Sequence, residues 1–255
     1  MIKYIEKESF LHRINPISKI VILFIFAYSL FLFNYWEIEV LALVSVLFLY
    51  VVSGIGLSKI EGKKFFITFS LSLFIINVLF IREGDAILNS GIIKITTNGI
   101  EFAIFSVARF LAIVFSSFLF VMTTEPNKLA YSLMQAGIPY RYGFTLVVAL
   151  RFVPTFQFET GNVRNAQAAR GLSVDKISIK SLYMMARYTF IPLIRSTMQY
   201  IDTLTVSMEG RCFGAYDTRT YIEEVGYGKK DVALLILSVI FLIGIIYQRF
   251  GQNLF

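Results

Sequence analysis

The chain has 255 residues, 56% of them hydrophobic and only 16% charged, with 24 Lys+Arg against 17 Asp+Glu and a net charge of +7. Soluble domains average about 45–50% apolar and about 25% charged residues, so this composition argues against an ordinary soluble domain and for a membrane protein. One cysteine, Cys212, excludes an internal disulfide framework, and one histidine, His12, argues against a histidine-rich metal site.

In chain order, a basic N-terminal arm with Lys3, Lys7, Arg13 and Lys19 comes first. The first apolar run then starts near Ile20, too far in and too long for a cleaved leader. A spanning helix needs about 20 mostly apolar residues. Segments near Ile20–Trp36, Ile38–Leu57, Phe65–Ile81 and Phe102–Met122 fit, and a fifth near Val232–Tyr247 closes the chain. Lys59, Lys63 and Lys64 follow the second span, whereas Arg82 and Lys94 after the third are offset by Glu83, Asp85 and Glu101. The positive-inside rule therefore places the N-terminus and the second loop in the cytoplasm. After four spans, residues 124–230 are cytoplasmic as well, with 13 Lys and Arg against 8 Asp and Glu. The expected organisation is a membrane region of four spans over 1–123, a cytoplasmic helical region over 124–230, and a C-terminal span and tail over 231–255. The fold class is all-α. A basic cytoplasmic surface suits anionic lipid headgroups or an acidic partner protein, and no nucleic-acid-binding fingerprint is present.

The cytoplasmic region is too long for a connection and reads as helices. In "TTEPNKLAYSLMQAGIP" Thr124 is a candidate N-cap, Pro126 suits a first turn, Leu129, Leu133 and Ala136 share a face, and Gly137 and Pro139 end the helix. "YGFTLVVALRFVPTF" has an apolar core too short for an ordinary span, and Pro154 is expected to kink or break it. A buried or re-entrant segment is one reading; a sixth span, which the charge distribution disfavours, is the other. A polar stretch from Thr155 to Arg170 ends at Gly171, and a further segment near Ile179–Ile191 precedes Pro192. Ile194, Met198, Ile201, Leu204, Thr205, Met208 and Cys212 then recur at steps of three and four, which is one apolar stripe on a helix. Within the spans, Arg109 is expected either to snorkel or to make a hydrogen bond inside the bundle, and Asn34 and Asn77 to bond between helices.

Two helices of the cytoplasmic region thus end at an arginine between small residues: Ala169-Arg170-Gly171 and Gly210-Arg211-Cys212. Helix capping explains each alone, because Gly favours the left-handed C-terminal position and Arg the negative helix end. Docking is the other reading, since a guanidinium leaving a helix tip can grip a partner's carboxylates in a bidentate fork.

Five stretches, "SFLHRINPISKI", "TTEPNKLAYSLMQAGIP", "ALRFVPTF", "AQAARG" and "SMEGRCFGAY", occur in the order found in the transmembrane (T) component of energy-coupling factor transporters, prokaryotic importers of vitamins and transition-metal ions, and the chain resembles that family. The resemblance implies a multi-pass plasma-membrane subunit that joins two cytoplasmic ATP-binding cassette ATPases to a membrane substrate-binding (S) component. It implies that Ala169, Arg170 and Gly171, and Gly210, Arg211 and Cys212, are the ATPase-docking tips of its coupling helices. Met198, Ile201, Leu204 and Met208 are then expected to pack those helices together. At the second tip Gly-Arg-Cys stands where the family has Ala-Arg-Gly, and Gly214 is the candidate for the missing cap glycine. The chain has no G-x-x-x-x-G-K-[ST] loop, so it is expected to be a non-catalytic subunit, without cofactor or metal. An intramembrane enzyme would need clustered Asp, Glu, His or Ser at membrane depth, and a self-sufficient carrier would favour internal repeats; neither pattern is visible.

Overall fold

Apolar runs of bilayer length satisfy their backbone groups internally only as helices, and these runs do so. The computed structural model describes residues 4–5, 7, 9–32, 35–56, 60, 62–82, 84–90, 93–171, 183–184, 186–216, 220–221, 225–226 and 228–252. A short α1 (Phe10–Arg13) leads into α2 (Pro16–Leu32), α3 (Trp36–Ser53), α4 (Lys63–Phe80), α5 (Thr97–Thr123), α6 (Pro126–Gln135), α7 (Tyr140–Ala169), α8 (Ile191–Glu209) and α9 (Lys229–Gln252). The fold is that of an all-α membrane protein. Among the described residues three helices, α3, α4 and α5, are long and apolar enough to cross a membrane, and Pro16–Leu32 and Asp231–Tyr247 are shorter apolar helices. The chain divides into one unit of residues 1–132 with 225–255 and a second of residues 133–224.

In the first unit α5 packs against both α3 and α4, and α2 packs against α9. Ala103, Ala108 and Ala112 of α5 are buried, and such small residues let helices in a bilayer approach closely. Val46, Tyr50, Ile55, Ile60, Phe118, Leu119 and Met122 form the main apolar cluster. The Tyr50 hydroxyl within it donates to the Phe115 carbonyl at 3.0 Å. Arg109 makes a bundle-internal ion pair: its Nη2 lies 2.7 Å from Glu39 Oε1, and the Glu39 side chain is fully buried.

The N-terminal arm is held by its own motif. Asn15 Oδ1 accepts from the Ile17 N–H at 2.9 Å and so caps α2, with Pro16 in the first turn where its missing N–H leaves nothing unpaired. Asn15 Nδ2 donates to the Val225 carbonyl at 3.0 Å, and its backbone N–H donates to Asp231 Oδ1 at 3.1 Å. Both ring nitrogens of His12 are engaged within the arm, by Ser9 Oγ at 2.7 Å and by the Ile5 carbonyl at 3.0 Å.

Four local expectations change. Residues 86–90 and 93–96 form an antiparallel hairpin, β1 and β2, between α4 and α5, where the charge count alone reads a loop. Thr124 closes α5 rather than capping α6: its hydroxyl lies 3.4 Å from Lys19 Nζ, and α6 begins two residues later. Pro154 sits inside an unbroken α7. A proline inside a helix costs about 3 kcal/mol because it offers no N–H to the carbonyl four residues back, here that of Leu150; the neighbouring Thr155 hydroxyl donates to the Arg151 carbonyl at 3.4 Å. Ile191, the expected end of the segment before Pro192, instead opens α8, with Pro192 in its first turn, directly after a π-helical turn at Ala186–Phe190. Of the expected Ile179–Ile191 segment, residues 179–182 and 185 lie outside the described residues, as does Asn34.

Candidate functional site

The second unit carries the two arginine tips. α6 ends with Gly137 at φ +111, and its N–H bonds the Met134 carbonyl at 3.2 Å. α7 then passes so close to α6 that a Cβ on Gly143 would lie 1.9 Å from Met134 Cγ. Only glycine fits there without moving the buried Met134 side chain.

α7 ends in a left-handed turn. The Arg170 N–H donates to the Gln167 carbonyl at 3.0 Å, the Gly171 N–H donates to the Ala168 carbonyl at 2.9 Å, and Gly171 has φ +79. α8 ends in the same way. Gly210 keeps helical dihedrals, the Cys212 N–H donates to the Glu209 carbonyl at 2.9 Å, and the Phe213 N–H donates to the Met208 carbonyl at 3.0 Å. Those two bonds are the pair that defines a Schellman ending, with Arg211 as the cap residue. Arg170 and Arg211 therefore hold the same position at the two helix ends. All six residues of the two tips are exposed.

The structure corrects the expected cap at the second tip. Cys212 takes the left-handed conformation itself, at φ +54, and Gly214 follows separately at φ +90. The bonds of the ending hold Cys212 in a region that costs a side-chain-bearing residue about 1–2 kcal/mol. Cys212→Gly is therefore expected to stabilise the α8 end by about 1 kcal/mol, read as slower amide exchange of residues 212 and 213; unchanged or faster exchange would refute the strain.

Three contacts run along α7 and α8 and set their relative direction. Gln167 Nε2 donates to the Tyr188 carbonyl at 3.1 Å, just before α8 begins. Ser196 Oγ donates to Glu159 Oε1 at 2.6 Å. Beyond the end of α8, Phe213 packs on Phe144 with ring centroids 4.7 Å apart and edge-on to Tyr140 at 5.8 Å. As numbers rise on α8 they fall on α7, so the helices run in opposite directions. Arg170 thus leaves the C-terminal end of α7, whereas Arg211 lies near its N-terminal end. From Phe144 to Arg170 the helix rises about 39 Å at 1.5 Å per residue, which sets the scale of the separation between the tips.

Of the apolar stripe, Leu204 and Met208 are half-buried, and Met198 and Ile201 are exposed in the chain by itself. The residues that sequence reasoning missed are Glu159, Ser196 and the aromatic set Tyr140, Phe144 and Phe213. The i, i+4 spacing of Tyr140 and Phe144 was a readable signal of a shared face. The Glu159–Ser196 bond was not, because it joins two segments across 37 positions. A double-mutant cycle of Glu159→Ala and Ser196→Ala in thermal unfolding is expected to return a coupling of about 1.5–3 kcal/mol, the range for a hydrogen bond to a charged group. Additive single effects would show that the bond does not join the helices. Among the described residues no group of His, Cys, Asp or Glu could hold a metal ion.

The profile of the CbiQ family, described as cobalt transport protein, matches residues 7–222. An energy-coupling factor transporter transmembrane protein EcfT of Streptococcus equi subsp. equi is 32% identical over 247 residues, covering 93% of this chain and 92% of that protein. The protein of the same name from Lacticaseibacillus paracasei is 31% identical over 238 residues, 90% of each chain. The one from Bacillus subtilis is 26% identical over 252 residues, 93% of each chain.

Proposed function

The chain belongs to the CbiQ family of energy-coupling factor transporter transmembrane components, and from that premise we propose that it couples ATP hydrolysis by two partner ATPases to the movement of a membrane substrate-binding component. It is a non-catalytic subunit. The imported solute is a vitamin or a transition-metal ion, selected by the substrate-binding component and not by this chain.

One observation carries the reading: two exposed arginines occupy the same cap position at the two ends of an oppositely directed helix pair. A single partner site would not need two such ends. Two copies of one ATPase, each with an acidic groove, would take one tip each. The planar guanidinium suits paired carboxylates, and the small residues beside it let the helix end come close. ATP binding draws the two ATPases together and hydrolysis lets them part. The tips then move relative to one another, and the strain passes along α7 and α8, pinned at Glu159 and Ser196. This is a shear or hinge change in packed helices. The exposed apolar side chains Met198 and Ile201 are free to pack against the substrate-binding component or to repack as the helices shift.

The charge asymmetry supports a cytoplasmic N-terminus, five spans and cytoplasmic coupling helices. Purification of the tagged chain from its native bacterial membrane tests the proposal. The expected result is co-purification of two nucleotide-binding subunits and a small membrane protein, with ATP hydrolysis in the complex. A chain that emerges alone under conditions that preserve its fold would overturn it.

A further inference from the structure

The chain passes between its two units twice, outward after Ser132 and back before Val225. Inside the first unit, the outgoing strand leaves the end of α5 and the returning strand leads into α9. The first turn of α2 bonds to both. We propose that Asn15 and Lys19 are positioning residues for coupling: they anchor the two strands, so that a displacement of the arginine tips is not lost in local shifts where the chain leaves and re-enters the membrane helices. The inference rests on the coupling role proposed above.

The outgoing strand is held at a helix end. The last turn of an α-helix leaves carbonyls without helical partners. At the end of α5 the Thr123 carbonyl accepts from Lys19 Nζ at 2.9 Å, and the Met122 carbonyl accepts the Ile5 N–H at 3.1 Å. Lys19 Nζ also lies 3.4 Å from Thr124 Oγ1. A cation at a helix C-terminus is favourable in itself. Ile5 is braced in turn, because its own carbonyl bonds His12 Nε2 at 3.0 Å. Two residues after Thr124, α6 begins and carries the chain past Ser132.

The returning strand is held at two points. Asn15 Nδ2 donates to the Val225 carbonyl, and the Asn15 N–H donates to Asp231 Oδ1. Asp231 Oδ2 accepts the Gly228 N–H at 2.9 Å, as the carboxylate of a capping box does at the start of a helix. Asn15 therefore fixes the strand directly at Val225 and, through Asp231, at Gly228. The Lys19 N–H donates to the Asn15 carbonyl at 3.1 Å, so the two residues stand one turn apart on the same side of α2. Lys19 also interacts electrostatically with Asp231, which links the two holds. Asn15, Lys19, Thr123, Thr124 and Asp231 are all buried, so opening any of these bonds strands polar groups away from water. Both strands thus start from one fixed base. A load on α7 and α8 then moves whole helices by hinge or shear rather than loosening the connections.

Amide hydrogen exchange of the whole chain with its co-purified partners in nanodiscs, with ADP and with a non-hydrolysable ATP analogue, tests the anchor. In wild type the two nucleotides are expected to give different exchange along α7 and α8, and the same exchange at Thr124 and Glu125 and at Gly226 and Gly228. Asn15→Ser keeps a cap for α2 but cannot reach Val225. It is expected to make Gly226 and Gly228 exchange about tenfold faster with one nucleotide than with the other, the factor for one lost bond. Lys19→Met is expected to do the same at Thr124 and Glu125. Tyr50→Phe removes a buried bond elsewhere in the same unit and is expected to leave both strands indifferent to nucleotide. A purely structural role for Asn15 and Lys19 would speed exchange equally with both nucleotides; that result, no change at all, or a Tyr50→Phe variant that behaves like the other two would overturn the anchor. Asn15→Ser carries the test by itself if Lys19→Met does not fold. A wild type whose α7 and α8 ignore nucleotide would overturn the coupling role, and the anchor with it, whereas a response there with unaltered strands in the variants would overturn the anchor alone.

Discussion

Arg109→Leu is expected to destabilise the first unit by about 3–5 kcal/mol, the cost of leaving a buried ion-pair partner uncompensated. Arg109 Nε donates to Glu39 Oε1 at 2.9 Å and Nη2 to the same oxygen at 2.7 Å. Nη2 also donates to the Leu30 carbonyl, so one guanidinium ties α5 to α3 and α2. The cation lies over the Phe105 ring at 4.2 Å and the Phe31 ring at 5.1 Å. Glu39 has no exposure, so removing Arg109 strands a charge that water cannot reach. Glu39→Leu is expected to cost less than Arg109→Leu, because the Arg109 side chain remains 18% exposed and can turn toward the membrane surface. The double variant Glu39→Leu with Arg109→Leu is expected to recover most of the loss, since well-packed apolar residues often replace a buried pair at little cost. Reversible unfolding of the detergent-solubilised chain in a denaturing detergent series measures all three. A double variant as unstable as the sum of the singles would show that the two side chains do not act as a pair.

The second large effect concerns the partners and leaves the chain's own stability unchanged. Arg170→Ala and Arg211→Ala are each expected to weaken ATPase retention by about 2–5 kcal/mol, the range for truncating one member of a buried charge pair at an interface. Together they are expected to abolish co-purification. Arg→Lys at either tip is expected to rescue only part of the loss, because the ammonium cannot reproduce the planar fork. Both residues are exposed in the chain by itself, so the melting temperature of the isolated subunit should not move. Retention of both ATPases by the double variant would reduce the two arginines to helix caps. Because wild-type co-purification is read in the same experiment, failure of the tips is distinguishable from failure of the subunit reading as a whole.

Hydrophobic run length placed the helices that became α2 to α5 and α9, with shifts of a few residues at their ends. The Gly137 helix end and the helix ends at Arg170 and Arg211 also follow from neighbours in the chain, and all are legible there. The hairpin at 86–96 was less so, although its short apolar alternation around Asn89, Ser90 and Gly91 carries a turn signal. Pro154 misled because a helix-breaking preference is local, whereas the turns on both sides carry α7 through it.

The sequence by itself therefore determined what depends on short stretches: membrane residence, the helical class, the basic asymmetry and the family. Tertiary structure decided what depends on distant stretches meeting. Glu39 and Arg109 are 70 positions apart, and either could have snorkelled. Glu159 and Ser196 pair across 37 positions and, with Phe213 on Phe144, send the two tips to opposite ends of α7. Cys212 adopts a glycine's conformation because the bonds closing α8 hold it there. The physical reason is common to these cases. Propensity and hydrophobicity act on a residue and its near neighbours, but the partner of a buried charge and the direction of a helix are set by packing, which is decided only when the whole chain folds.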